Sequence, residues 1–499
     1  MADPRKLPAG PAALPPRPPR RRGDRLLPRH RLTGPAVSHL RTHLAALDAG
    51  RVGARELVQE ALDAIDATQG TVNAFRRVRA DAALAEAGAA DRRRRAGERA
   101  PLLGVPVAVK DDIDVAGEPT AFGCGGPFPA AAADCAAVAR LKAAGAIIVG
   151  KTNTPEIGQW PVTEGPAFGV TRNPWDLDRT PGGSSGGAAA AVAAGIVPVA
   201  LGSDAAGSIR IPAAWTHLVG IKPQRGRVPT LPDVSACHGL TVLGPLARTV
   251  ADAALLLDVL AGHRPDVPSR SYAACAERDP GRLRIAVSLR VPFSGHPARL
   301  DPRIGDAVRR LAAVLESLGH RVEDADPRYG PAGLSFLPRA TAGVRDWTRR
   351  APWAPLDPRT RAKAATARVL GGPVLRTAHA VEGPLRARIG RIFRRYDAVL
   401  APTTARPAPR VGAIDGLGGR ATDRLAVAAC PYAWVWNVVG WPAVNVPAGV
   451  LDDGLPVGAT LLGPADGEPR LISLAAQLEA ALGWHLHRPP GFPATALPA

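Results

Sequence analysis

Lysine is nearly absent from this chain. Of its 63 basic residues only six are lysines, Lys6, Lys110, Lys142, Lys151, Lys222 and Lys363, and there is a single methionine. Arg, Ala, Gly and Pro dominate instead, as GC-rich codons produce, so the formal net charge of +19 is read as codon bias rather than as a polyanion-binding surface. Aromatic residues make up 4%, and no basic stripe interleaved with aromatics is present to stack bases. No nucleic-acid partner is therefore expected. Apolar runs are short: none approaches the roughly 20 residues of a membrane span, and the Pro- and Arg-rich start does not resemble a cleaved signal. The expected compartment is the cytoplasm. The five cysteines, Cys124, Cys135, Cys237, Cys275 and Cys430, form no C-x-x-C and have no His at metal spacing, which excludes a disulfide framework and a structural zinc. No metal or cofactor is expected. The scarcity has a corollary: each lysine this chain keeps is a candidate for a role that Arg, which cannot lose its proton, does not fill.

What remains is a long, apolar chain. With 499 residues and 46% hydrophobic content it can bury a large core. Residues 1–35 carry nine basic residues against Asp3 and Asp24 and are rich in proline, so they read as a disordered tail. Three helical patterns follow, over HLRTHLAALDAG, ARELVQEALDAIDA and DAALAEAGAADRRRRAGE, and are expected to precede the first strand. From residue 104 short apolar runs alternate with helices: GVPVAVK, AAVARLKAAG, AIIVG, AAAAVAAG and IVPVALG. LRIAVS, DAVLAPT, PAVNVPAG and PVGATLLG continue the theme later. This alternation predicts an α/β fold, a single layered domain over residues 36–490 with a central mixed sheet covered by helices on both faces. Residues 330–395, Arg-rich and without strand runs, read as a helical insertion or cap.

Chemistry concentrates in residues 181–210, where a Gly-rich loop, an Ala-rich helix, an apolar strand and a second small-residue loop follow one another. Phosphate binding fails on detail, since neither G-x-x-x-x-G-K-[ST] nor G-x-G-x-x-G with its later acidic residue is present. Acyl transfer by serine fits better. Ser184 and Ser208 are flanked by glycine or small residues, which admit a carbonyl closely and expose backbone N–H groups as an oxyanion hole. A base is required. His217 and His238 are the nearest histidines, outside this stretch, and A-A-G-S-I does not match the G-x-S-x-G elbow. A neutral lysine is the other option, and Lys110 ends the predicted strand GVPVAVK, where α/β sheets place their sites.

These pieces resemble the amidase signature family of Ser-Ser-Lys hydrolases. The resemblance is carried by GVPVAVKDDIDVAG, IIVGKTNTPE, GVTRNPWDLDRTPGGSSGGAAAAVAAG, LGSDAAGSIRIPAAW, VGIKPQRGRVP, NVVGWPAVNVP and GLPVGATLLG, in the family's order over residues 104–463. It implies a stand-alone amidase that cleaves a small-molecule carboxamide to a carboxylate and ammonia or an amine through an acyl-serine. Ser208 would be the nucleophile, Ser184 the bridging serine after a cis peptide and Lys110 the base. The 24-residue interval from Ser184 to Ser208 selects Ser184 over Ser185. The N–H groups of Ala205, Ala206, Gly207 and Ser208 would form the oxyanion hole, with Asp204 and Arg210 bracing their loop. Ala206 departs from the family, whose members usually have glycine there, and its methyl either narrows the acyl site or marks altered activity. Lys151 and Lys222 are read as structural. Trp160, Trp215, Trp434, Trp436 and Trp441 all fall near these motifs and point to an apolar or aromatic acyl pocket, with Trp160, Trp215 and Trp436 as its candidate residues. A glutamine-hydrolysing component of a tRNA-dependent amidotransferase is the alternative enzyme, but residues 331–396 lack the G-T-Y…S-x-G-x-Y-D-A-Y-Y pattern of that branch. An idle binding scaffold is the alternative outside enzymes. A homodimer stays open.

Overall fold

The computed structural model describes residues 39–263, 271–292 and 296–492. The expected tail, residues 1–35, lies outside them. Eleven strands form one mixed sheet among the described residues. In chain order they are β1 (Phe75–Val78), β2 (Pro106–Lys110), β3 (Ile147–Thr152), β4 (Val199–Asp204), β5 (Val219–Lys222), β6 (Val242–Ala247), β7 (Arg284–Val287), β8 (Arg321–Asp324), β9 (Ala398–Pro402), β10 (Ala443–Val450) and β11 (Pro456–Leu462). Their order across the sheet is β1-β3-β2-β4-β6-β5-β10-β11-β9-β7-β8. β2 runs parallel to β3 and β4, and β9, β7 and β8 are parallel to one another. The hairpin β10–β11 joins the two groups, β10 pairing antiparallel with β5 and β11 with β9.

Every residue of β2, β3, β4, β5, β6, β9 and β11 is buried. A strand buried at consecutive positions has both faces covered, so this is a sheet between helical layers. The helix Gly186–Ala193 is the tightest of those helices: all its residues are buried, and a Cβ on Gly187 would lie 2.5 Å from Ala74 O and Asn153 N. Only glycine fits at that position.

One expectation changes. The strand β1 interrupts the three opening helices, lying between Ala54–Gln69 and Ala80–Arg95. Its sequence, Phe-Arg-Arg-Val, shows no apolar alternation because it is an edge strand with only Phe75 buried. Residues 330–395 hold the helices Gly333–Arg350, Pro358–Val369, Gly372–Ala380 and Glu382–Ile389. No described helix is long and apolar enough to cross a membrane.

Candidate active site

Parallel strands put their carboxyl ends, and the loops that follow, at one edge of the sheet. Lys110 closes β2, Asp204 closes β4, and Lys151 lies one residue from the end of β3. All three are fully buried. Lys151 is anchored to Asp111 Oδ1 at 3.1 Å, Pro119 O at 2.7 Å and Thr120 Oγ1 at 2.7 Å. Lys222, closing β5, donates to Pro223 O at 2.9 Å.

Lys110 has different surroundings. Its Nζ lies 2.7 Å from Ser184 Oγ, 2.7 Å from Ser203 Oγ and 3.0 Å from Asp112 Oδ2. The peptide bond Gly183–Ser184 is cis. Ser203 donates its own proton to Asp112 Oδ2, so its oxygen can only accept from Lys110. Burial pushes the Lys110 ammonium down from its ordinary range, against the opposing pull of Asp112 and, farther off, Asp204. Ser203 and Asp112 stand inside the motifs quoted above, and neither was singled out from sequence. The signal available was that each sits one or two residues from a strand end whose charged neighbour was already a candidate.

The loop after β4 is folded back by its own carboxylate. Asp204 Oδ1 accepts the Gly207 N–H at 2.7 Å, and Oδ2 accepts the Ile209 N–H at 3.2 Å. Arg210 grips the same carboxylate with Nε and Nη2, both at 3.0 Å, in a pair with no solvent exposure. Asn437 completes the brace, accepting from Arg210 Nη2 at 2.7 Å and donating to Asp204 O at 2.8 Å. Burial works against the Asp204 charge, but Arg210, Lys222 and Asn437 outweigh it and hold the carboxyl well below the usual range. Gly207 must be corrected as an oxyanion donor, because its N–H points inward to Asp204. The N–H groups of Ala205, Ala206 and Ser208 have no intramolecular acceptor among the described residues. Gly207 itself has φ +115, and a Cβ there would meet Ala433 Cβ at 2.5 Å. Ala206 is absent from the positive-φ residues, so alanine sits there without backbone strain. The Ser208 side chain makes no hydrogen bond among the described residues; it faces a cavity shared with Ser184 and Ser203.

Two histidines had competed with Lys110. His217 is buried against Trp175, with ring centroids 5.1 Å apart, and burial lowers its pKa to about 3. His238 pairs with Asp346 at 2.9 Å on the cavity wall.

A family model for amidases matches residues 56–472. The chain belongs to the amidase signature family. It is 54% identical over 444 residues to "Putative amidase AmiA2" of Mycobacterium tuberculosis (strain ATCC 25618 / H37Rv), covering 88% of this chain and 92% of that protein. It is 37% identical over 487 residues to a glutamyl-tRNA(Gln) amidotransferase component of Chromohalobacter salexigens, covering 90% and 97%. Among solved structures, 6-aminohexanoate cyclic dimer hydrolase superposes with a TM-score of 0.81 at 32% identity, covering 91% of this chain and 98% of that one. The function these relatives support is that of an amidase, a hydrolase of amide C–N bonds.

The cavity of this amidase measures about 1310 Å³. Ala205 and Ala206 line it, with Trp434, Phe336 and Leu337 on its wall. Trp160 also lines it and carries the Arg359 guanidinium 4.7 Å above its ring. The other two candidate tryptophans do not. Trp215 packs among Ile211, Ala408, Ala429, Cys430 and Ala433 and donates to Arg406 O at 3.1 Å. Trp436 is fully buried and donates to Gly463 O at 3.1 Å. Both are core residues whose indole N–H is satisfied by a carbonyl, which proximity to a motif could not reveal. The tryptophans that share the cavity with Trp160 are Trp434 and Trp347, the latter on the helix Gly333–Arg350.

Proposed function

We propose that this amidase works through an acyl-Ser208 intermediate with Lys110 as base and Ser184 as relay. The observation that carries the reading is the 2.7 Å contact between the buried Lys110 Nζ and Ser184 Oγ. Neutral Lys110 takes the Ser184 proton, Ser184 takes that of Ser208, and Ser208 Oγ bonds to the amide carbon. The carbonyl oxygen becomes an oxyanion facing the free N–H groups of Ala205, Ala206 and Ser208. The C–N bond then breaks, with the proton returned from Lys110 through Ser184 to the leaving nitrogen. Water, deprotonated by the same pair, hydrolyses the ester. Substrate closes the gap between Ser208 and Ser184, since catalytic hydrogen bonds often tighten only in the complex.

The acyl group lies against Ala206, Phe336 and Trp434, so an apolar acyl chain is the fitting one. The methyl of Ala206 occupies part of that wall, and we read it as narrowing the acyl site. A fluorophosphonate probe tests the nucleophile. It should label Ser208 in the folded protein and fail in Ser208→Ala; an adduct mapped to any other serine refutes the assignment.

A further inference from the structure

We infer that the leaving-group side of the cavity is built for an apolar, ring-sized substituent on the amide nitrogen, so that the substrates are secondary amides rather than primary ones. The inference rests on the reading of Ser208 as nucleophile and Ser184 as relay, because that reading fixes where the nitrogen lies. The proton for the leaving amine comes from Ser184 Oγ, and the nitrogen must sit beside it. Gly158 borders that point: a Cβ there would be 3.1 Å from Ser184 Oγ and 3.9 Å from Phe122 Cζ. Any group on the nitrogen that extends past Gly158 therefore meets Phe122.

Phe122 begins a row of rings. Its centroid is 5.6 Å from Trp347, Trp347 is 5.9 Å from Phe128, and Phe128 is 6.4 Å from Trp353. Trp353 is 53% exposed, so the row runs from the relay serine to solvent. Phe128, Trp347 and Trp353 line a second cavity of about 630 Å³, together with Leu231 and Pro232. Asp114, Thr120, Pro232, Trp347 and Arg350 line both cavities, so the two adjoin. The charge at this mouth is partly offset, since Arg350 faces Asp233 at 3.6 Å. Four rings at aromatic spacing, left half-open beside a reacting centre, offer stacking and edge contacts that ammonia as leaving group cannot use. Backbone strain marks the same wall. Phe122 and Ile157 have φ of +54 and +52, where bulky side chains are rare, and Ile157 N–H donates to Phe122 O at 2.9 Å.

The test compares a primary amide with the N-benzyl amide of the same acyl group. In the wild-type protein kcat/KM should favour the N-benzyl amide by about tenfold or more. Trp347→Ala should lower that ratio by about tenfold, and Trp353→Ala, at a half-exposed position that folding tolerates, by several-fold. A wild-type preference for the primary amide, or a ratio unchanged in both variants, overturns the inference. Binding separates it from the nucleophile assignment. In Ser208→Ala protein, titration with the N-benzyl amide should show an affinity that Trp347→Ala weakens by about tenfold, an outcome independent of which serine attacks. Equal affinity in the two proteins counts against the subsite, whereas turnover surviving in Ser208→Ala counts against the nucleophile alone.

Discussion

Lys110 Nζ has three oxygen neighbours whose roles differ. Ser203 and the Asp112 carboxylate can only accept from it, whereas Ser184 can either accept an N–H or donate its hydroxyl to the lone pair of a neutral amine. Ser184 is thus the neighbour whose bond reverses when the lysine loses its proton. Lys110→Arg keeps the charge and removes the base, so kcat should fall by about a thousandfold or more, as in Lys110→Ala; substantial activity in the Arg protein would refute the relay. The pH dependence follows with a definite sign. On the proposed relay the reaction needs neutral Lys110, so kcat/KM rises with pH through that group's pKa, and the Asp112 carboxylate holds the pKa up against burial. Asp112→Asn should move the acidic limb of the profile to lower pH by roughly 1 to 3 pH units. An unmoved limb would mean that Lys110 is not the titrating group. Sequence raised Lys110, Ser184 and Ser208 through their strand-end or glycine-rich setting, and Asp204 and Arg210 through the family resemblance. It missed Asn437 and Ser203, which are ordinary residues until the fold brings them within 2.7 Å of a charged group.

The elements around the site are coupled through one short loop. Glu156, almost fully buried, accepts the Asp357 N–H at 3.0 and 3.1 Å, just before the helix Pro358–Val369 begins. Gln159 donates to Thr360 at 2.5 Å, and Trp160 stacks under Arg359 of the same helix. The same loop lies against the Gly183–Ser184 peptide, since a Cβ on Gly183 would sit 2.5 Å from Trp160 O. Glu156→Ala should cost about 1–3 kcal/mol, read as a lower melting temperature, and should raise KM through the released helix before it touches kcat. An equal loss in kcat alone would argue against this coupling. Element types were legible where the apolar run was continuous, as in Ile-Ile-Val-Gly, or the helical period clean, as in Ala54–Gln69. β6 was not, because Pro245 stands in its middle and proline argues against a central strand. β5 was not either, at four residues ending in Lys222. Both sit deep in the sheet, and tertiary burial overrode what local pattern could show.

Across the whole molecule, charge and pH act through buried groups as well as the surface. Burial, helped by Arg210 and Arg225, lowers the Lys222 pKa to about 7. Between there and the ordinary lysine range the unfolded chain binds a proton that the folded chain does not, so this group makes stability rise with pH over that window. Lys222→Met should flatten the rise in chemical-denaturation midpoints between pH 7 and 10; an unchanged slope would mean that Lys222 stays charged in the fold. Residues 1–35, with nine basic residues against two acidic, lie outside the described residues. Removing residues 2–35 should leave small-amide turnover nearly unchanged and should weaken salt-sensitive retention on a polyanion column. A large loss of turnover would show that the segment docks. The sheet carries a last consequence, for synthesis. Every group assigned to the chemistry precedes residue 209, yet the hairpin β10–β11 that welds β5 to β9 occupies residues 443–462. A ribosome therefore delivers Lys110, Ser184 and Ser208 long before it delivers the two strands between the halves of the sheet. Until then β5 and β9 are open edges exposed to other chains, and Asn437 has not arrived to orient the brace. The nascent polypeptide holds its reagents without a reactor, and competence is conferred by its final stretch.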